Sequence, residues 1–359
     1  MSVELKELGV NIHVIATGAG ARIQQALWNV PGSSAYFSGA TFPYAQEEQE
    51  ELLGFMPEHF CSEEAAIDLA SAAYMKAYRF GGKKPVGVGV TASVASTTMH
   101  RGDHRFFVCF ITNDKVRLVH KVLTKGVGAE QRFLDDAIIT DEVMHQLEFV
   151  LTDMDRMEDV SEKARQRFFA RPFFAANGKR LATVPANKHL AIMPGAYNPP
   201  HEGHFGTAQH VMDEYGRSVV YEVTAEPPHK EALSVQLLLQ RAKLLQGENR
   251  LFTRKEPFYL DKARAFPGIP LVLGADAMVR MLDPKWGLNL GEMFAEFRKL
   301  DTKLLVSGRI MGDKFVTCED ILKDMRFQNP QLWSVAQGVM MPVGGRFDIS
   351  STELRNKLV

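Results

Sequence analysis

Short apolar runs separated by helix-patterned segments recur along the chain, and this rhythm restricts the fold more than any single residue does. The runs "HVIA", "VGVGV", "FFVCFIT", "VRLVHKVL", "LAIMPGAY", "SVVYEV", "IPLVLGA" and "KLLVSG" have the length and apolar content of buried strands. Their alternation with helical patterns predicts an α/β layer architecture. At 359 residues the chain exceeds the usual size of one domain, so two domains are expected, each large enough to bury a core. Between Leu151 and Asn187 the pattern changes to a charged helical segment ending in Asn-Gly and Pro, followed by a fresh strand. This places a first domain at residues 1–155, a helical linker at 156–186 and a second domain at 187–359.

Composition excludes several classes. Apolar residues make up 45% and charged residues 24% of the chain, as in ordinary globular proteins. A formal charge of -1 lacks the basic footprint of a dedicated nucleic-acid binder. Cys61, Cys109 and Cys318 are too far apart for a zinc set and odd in number, and they read as buried thiols. The acidic, amphipathic start "MSVELKELGVNIHV" does not match a signal peptide, and no run has membrane-spanning length, so a cytoplasmic protein without membrane contact is expected.

The second half carries the densest chemistry. "HLAIMPGAY", "NPPHEGH" and "FGTAQHVMDEYG" read as strand, tight turn and helix. Such a junction offers main-chain N–H groups and a helix N-terminus to an anion. His201 would lie just before the helix and His204 in its first turn, where both could donate to phosphate oxygens. Solvated turn histidines, or a pair of metal ligands, fit the same spacing. "RFDISSTELRNKL" sets Ser350, Ser351 and Thr352 before a helix carrying Arg355, either a second anion site or an ordinary capping box. Lys230, Arg241, Asp276 and Trp286 follow other strands, and in an open parallel sheet these positions fall at the carboxyl edge, where ligands bind.

"GAYNPPHEGH" resembles the G-x-F-x-P-x-H-x-G-H motif of the nucleotidyltransferase superfamily, with Tyr197 where Phe is usual, and "ISSTELR" resembles its I-S-S-T-x-x-R partner. "EPPHK", "GAD" before a tryptophan and "LLVSGRI" are similar to the nicotinate or nicotinamide mononucleotide adenylyltransferases, over about Lys188 to Val359. Trp286 lies about two residues further from Asp276 than in the family pattern. The resemblance implies a Rossmann-like domain with a parallel sheet. It also implies Mg²⁺-dependent transfer of AMP from ATP to a pyridine mononucleotide, releasing pyrophosphate. His201, His204, Lys230 and Arg355 would then be catalytic. Gly195, Ala196, Tyr197, Gly274, Asp276, Arg309, Ser350, Ser351 and Thr352 would bind the nucleotide, and Trp286 and Arg241 the acceptor.

The first half resembles the CinA carboxyl-terminal domain, the nicotinamide mononucleotide deamidase family, from about Leu5 to Leu151. "VPGSS" at Val30 to Ser34 is the best-preserved piece, and Tyr44 and "GVTA" follow at family-like spacing. The implied pocket contains Thr17, Ser33, Tyr44 and Thr91. The family's Glu-Ser pair falls on Ala16 and Thr17, and its lysine on Gln49, so no base for an activated hydroxyl remains and amidase activity is expected to be lost. Two alternatives stay open: a bifunctional deamidase and adenylyltransferase, and a mononucleotide-binding regulatory or assembly protein. A homo-oligomer is expected. "MHRGDHR" gathers His100, Asp103 and His104, a possible metal set that reads more simply as an exposed loop. "RQRFFARPFF" reads as linker aromatics packed between domains or subunits rather than a nucleic-acid contact.

Overall fold

The computed structural model describes residues 7–81, 84–112, 115–152, 161–186, 189–227, 230–286, 289–347, 349 and 354. The protein is a mixed α/β structure in which both main sheets contain parallel strands. Its contacts divide into two compact units. The first contains residues 1–171, 177–180 and 234–246; the second contains 172–176, 181–233 and 247–359.

In chain order the first unit runs β1 (Asn11–Thr17), α1 (Ala21–Trp28), β2 (Phe37–Thr41), α2 (Gln46–Leu53), α3 (Glu63–Gly81), β3 (Pro85–Ser93), β4 (Arg105–Ile111), β5 (Val116–Val122), α4 (Gly128–Thr152) and α5 (Ser161–Ala170). The sheet order is β2-β1-β3-β4-β5. β1 pairs in parallel with β2 and β3, whereas β4 is antiparallel to β3 and β5. β1 is buried along its whole length, and β3 over all but its last two residues, as central strands covered on both faces must be.

The contact of α3 with β3 explains the "VGVGV" run. A Cβ on Gly87 would fall 2.1 Å from the main-chain oxygen of Ala70, and one on Gly89 2.3 Å from that of Ala66. Both glycines are required so that the helix can lie against the strand at backbone distance. The helix answers with its own small residues, Ala66, Ala70, Ala73 and Ala77, all fully buried.

In the second unit the elements are β6 (Phe173–Phe174), β7 (Arg180–Leu181, at the boundary), β8 (Leu190–Pro194), α6 (Glu202–Tyr215) and β9 (Ser218–Thr224). The helix α7 (Val235–Leu244) lies in the segment assigned to the first unit. Then follow β10 (Asn249–Thr253), α8 (Tyr259–Ala265), β11 (Leu271–Gly274), α9 (Ala275–Met281), α10 (Leu290–Lys299), β12 (Leu304–Ser307), β13 (Arg309–Met311), β14 (Lys314–Val316), α11 (Cys318–Gln328), α12 (Pro330–Ala336) and β15 (Met340–Val343). The sheet order is β15-β12-β11-β8-β9-β10-β6-β7. The six strands from β15 to β10 are mutually parallel. With β8, β9, β10, β11, β12 and β15 counted one to six, their order is 3-2-1-4-5-6. In such a sheet the chain reverses its direction of travel between β8 and β11, and a crevice opens beyond their carboxyl ends. Its core gathers Ile192, Val220, Leu273, Phe294, Phe297 and Val306.

In the aromatic run "RQRFFARPFF", Phe168, Phe173 and Phe174 are buried. Of the cysteines, Cys109 and Cys318 are buried but Cys61 is only half-buried, because it sits in the loop before α3 rather than in a core element. Among the described residues no helix is long and apolar enough to cross a membrane.

Gly89→Val should destabilise the first unit by about 3 kcal/mol or more, because the added atoms meet helix backbone that cannot rotate away. Faster hydrogen exchange of the α3 and β3 amides, with the second unit's amides unchanged, would record it.

Candidate functional site

The second unit places its candidate residues around the end of β8. The strand stops at Pro194, the Gly195 N–H donates to the Glu222 main-chain oxygen over 2.9 Å, and the chain turns through Tyr197 at φ +46°. Tyr197 is buried; its hydroxyl donates to the Met193 carbonyl, and its ring meets those of His204 (4.8 Å) and Tyr221 (5.4 Å) edge-on. That packing seats the turn so that α6 begins at His201.

His201 is the N-cap of α6 and His204 lies in the first turn, their rings in contact with centroids 3.8 Å apart and planes tilted by 31°. The His201 main-chain N–H donates to His204 Nδ1 over 3.2 Å. An imidazole that accepts at Nδ1 carries its neutral-state proton on Nε2, so His204 presents one N–H donor. Burial, with His201 and Arg309 nearby, lowers the His204 pKa to about 3. The ring is therefore a neutral donor rather than a cation at neutral pH.

Just beyond the ends of β11 and β12 come Asp276 and Arg309. Asp276 follows Gly274 in the first turn of α9, and its carboxylate lies 3.8 Å from Arg309 Nε and 3.5 Å from Arg280 Nη2. A Cβ on Gly274 would stand 2.5 Å from Asp276 Oδ1, so glycine leaves room for that carboxylate. Arg309 also donates to the main-chain oxygen of Ile349 over 3.2 Å. His201, His204, Asp276 and Arg309 are thus gathered from three strand ends, with Gly195, Ala196 and Tyr197 forming the turn beneath them. Ser350, Ser351, Thr352 and Arg355 lie outside the described residues. Lys230 is exposed in the loop after β9. Trp286 ends the 3-10 turn Pro284–Trp286. Arg241 is buried on α7, in the segment that belongs to the first unit.

A buried charged cluster underlies this edge and was not anticipated. Glu222 is fully buried on β9; Lys262 Nζ lies 3.2 Å from both its carboxylate oxygens, donates to Thr224 Oγ1 over 2.7 Å and also donates to the Glu256 carbonyl. Thr224 donates to Glu222 Oε1 over 2.9 Å, as does Thr253. The acid inside the apolar run "SVVYEV" was the available signal; nothing local marks Lys262 as its partner.

The first unit brings Thr17, Thr91 and Gln49 together. Thr17 and Thr91 are registered neighbours at the carboxyl ends of β1 and β3, and both are buried. Gln49 Nε2 donates to Thr17 Oγ1 over 3.1 Å, and the Thr91 hydroxyl donates to the Phe60 carbonyl. An amide donor on a hydroxyl oxygen withdraws electron density from it, the opposite of what a general base does. Tyr44 is exposed, stacked on Phe42, and its oxygen accepts from Arg132 Nη2 over 3.1 Å. Arg132 also donates to the main-chain oxygens of Gly18 and Ala95. Ser33 starts the 3-10 turn Ser33–Ala35, its N–H donating to Val30. Arg132 was missed by sequence reading, since one arginine on an amphipathic helix carries no signal. Asp136, also missed, accepts from the N–H groups of Gly20 (2.6 Å) and Ala21 (3.3 Å), and so fills the start of α1 with a carboxylate.

The "MHRGDHR" segment does not form a metal set. His104 is fully buried with Nδ1 3.6 Å from the Asp135 carboxylate, the His100 ring lies tilted against it with centroids 4.7 Å apart, and Asp103 points to solvent near Lys125. Asp135 also accepts from the Ala95 N–H and from Gln131. His104 is therefore buried, not exposed as the sequence suggested, because Asp135 pins this loop to α4. Among the described residues no group of three or more His, Cys, Asp or Glu side chains could hold a metal ion.

No protein-family model matches the sequence, and no curated protein matches it. Among solved structures the chain is similar to CinA-superfamily proteins over the N-terminal two-fifths of its length. A competence-damaged protein (CinA) superfamily protein from Klebsiella pneumoniae 700603 has a TM-score of 0.33 and 11% identity, covering 41% of this chain and 90% of that one. The competence damage-inducible protein A (ComA) from Klebsiella pneumoniae subsp. pneumoniae MGH 78578 has 0.33 and 10%, covering 44% and 93%. The competence/damage inducible protein CihA from Agrobacterium tumefaciens has 0.30 and 17%, covering 40% and 88%.

The His204 ring should show the Nε2–H tautomer by ¹⁵N NMR and no titration between about pH 5 and 8. Because the unfolded chain takes up this proton at the ordinary value of 6.5 and the folded chain only at about 3, the ring's contribution to stability is present above 6.5 and is lost as pH falls through that window. His204→Gln should flatten that part of the stability profile.

Proposed function

We propose that the second unit is a Rossmann-like nucleotidyltransferase that moves AMP from ATP, taken as its Mg²⁺ complex, to the phosphate of a pyridine mononucleotide. The dinucleotide forms as the acceptor phosphate oxygen attacks the α-phosphorus and pyrophosphate leaves. The observation that carries this reading is the close His201–His204 ring pair at the start of α6, beside the reversal point of a 3-2-1-4-5-6 parallel sheet. The motif resemblance at "GAYNPPHEGH" supports it independently. Such a transfer needs alignment of two anions and neutralisation of charge, not a covalent nucleophile. His204 would contribute its Nε2–H donor to a phosphate oxygen as charge builds. Arg309 would supply fixed positive charge, and Lys230, on an exposed loop, would bring the two anionic substrates together. Asp276, at the reversal point, is suited to ribose hydroxyls, and Mg²⁺ would ride mainly on the substrate phosphates with few protein ligands.

For the first unit we propose a mononucleotide pocket that binds without hydrolysing. The Gln49 to Thr17 hydrogen bond supports this, since the hydroxyl that would attack is held by an amide and, among the described residues, donates to no base. Tyr44 and Arg132 at the pocket's edge would provide a ring and a guanidinium for a phosphorylated ligand.

With ATP, Mg²⁺ and either the amide or the acid mononucleotide, dinucleotide and pyrophosphate should appear in equal amounts. His204→Ala should lower kcat/KM by about 10²–10³. Ammonia should stay at background in the wild type and in Thr17→Ala. Ammonia release that disappears in Thr17→Ala would instead establish a bifunctional enzyme. No dinucleotide at saturating substrate would sink the transferase reading.

A further inference from the structure

A cavity of about 600 Å³ in the first unit lies away from Thr17 and Thr91, between the loop before α3, the start of that helix and the segments 170–171 and 177–180. Its volume is in the range of small-molecule sites. Asp68, Arg180, Lys179, Arg171, Glu64 and His59 are among its walls.

Asp68 is unusual for a buried carboxylate. Its side chain is 9% exposed, and among the described residues it makes no hydrogen bond; its ion pair, to Arg180 Nη1, spans 3.8 Å. Buried carboxylates normally accept two or three donors, and one left short costs free energy. Arg180 cannot close the gap, because it is fixed elsewhere. It donates to the main-chain oxygens of Phe168 and Arg171, and its guanidinium lies 5.3 Å from the rings of both Phe55 and Phe168. Burial raises the Asp68 pKa to about 7 even with that cation beside it, which agrees with a carboxylate short of donors. At the mouth of the cavity the charges differ. Arg171 is ion-paired with Glu58, whereas Lys179 is exposed and, among the described residues, makes no ion pair.

We propose that this cavity binds a sugar phosphate, with sugar hydroxyls donating to Asp68 at the floor and the phosphate held by Lys179 at the mouth. Neutral hydroxyls suit the floor better than an ammonium group would, because Arg180 already places positive charge 3.8 Å from the carboxylate. The proposal is independent of the transferase reading, since no residue of the β8 turn is involved.

Calorimetric titration of the full chain with ribose 5-phosphate, ribose and inorganic phosphate tests it. Ribose 5-phosphate should bind at least about tenfold tighter than either half. Asp68→Asn and Lys179→Met should each weaken it by about tenfold or more, and His204→Ala should leave it unchanged. Lys179 is exposed, so its variant reports even if Asp68→Asn fails to fold. Equal affinity for inorganic phosphate, unchanged affinity in Lys179→Met, loss in His204→Ala, or no heat up to about 10 mM ribose 5-phosphate would each overturn the proposal.

Discussion

Helix α3 rests on strand β3 at backbone distance, and the first unit's carboxyl edge depends on that contact. Gly87 and Gly89 present no side chain, so the main chain of Ala66 to Tyr74 occupies the space where Cβ atoms would stand. This holds β3 in register with β1 and brings Thr91 level with Thr17. The same helix carries Asp68 toward its cavity. A helix one side chain farther from the sheet would separate these groups, whatever their identity.

In the second unit the comparable role falls to polar contacts. Glu222 is held by Lys262, Thr224 and Thr253, and its main-chain oxygen accepts from Gly195. The turn that leads to His201 is therefore tied to a buried charged cluster. Replacing a buried ion pair by apolar residues is often neutral for stability, so a pair retained at this point is best understood as fixing geometry. The turn in turn fixes the His204 tautomer through the His201 N–H.

Much of the fold was legible. Apolar runs of strand length mark the core strands, because a parallel sheet covered on both faces must be apolar throughout. The histidine turn was legible too, since a Pro-rich tight turn between strand and helix leaves few conformations. The extent of each compact unit was less so: segments 177–180 and 234–246 pack with the first unit although they follow it in sequence. Helix α7 has an ordinary amphipathic pattern, and periodicity reports that a helix has an apolar face without reporting what covers it.

The sequence by itself determined the α/β class, the two glycines that admit a close helix, and the position of His201 and His204 after a strand, since each follows from residue type and local spacing. Tertiary structure alone decided that Gln49 donates to Thr17, that the Asp276 carboxylate stands 3.8 Å from Arg309 Nε, that His204 is half-buried and neutral, and that Lys262 meets Glu222 across 40 residues. Local spacing sets which face of an element a side chain occupies. Which distant side chain it meets, and how much water is left between them, is set by how the elements pack.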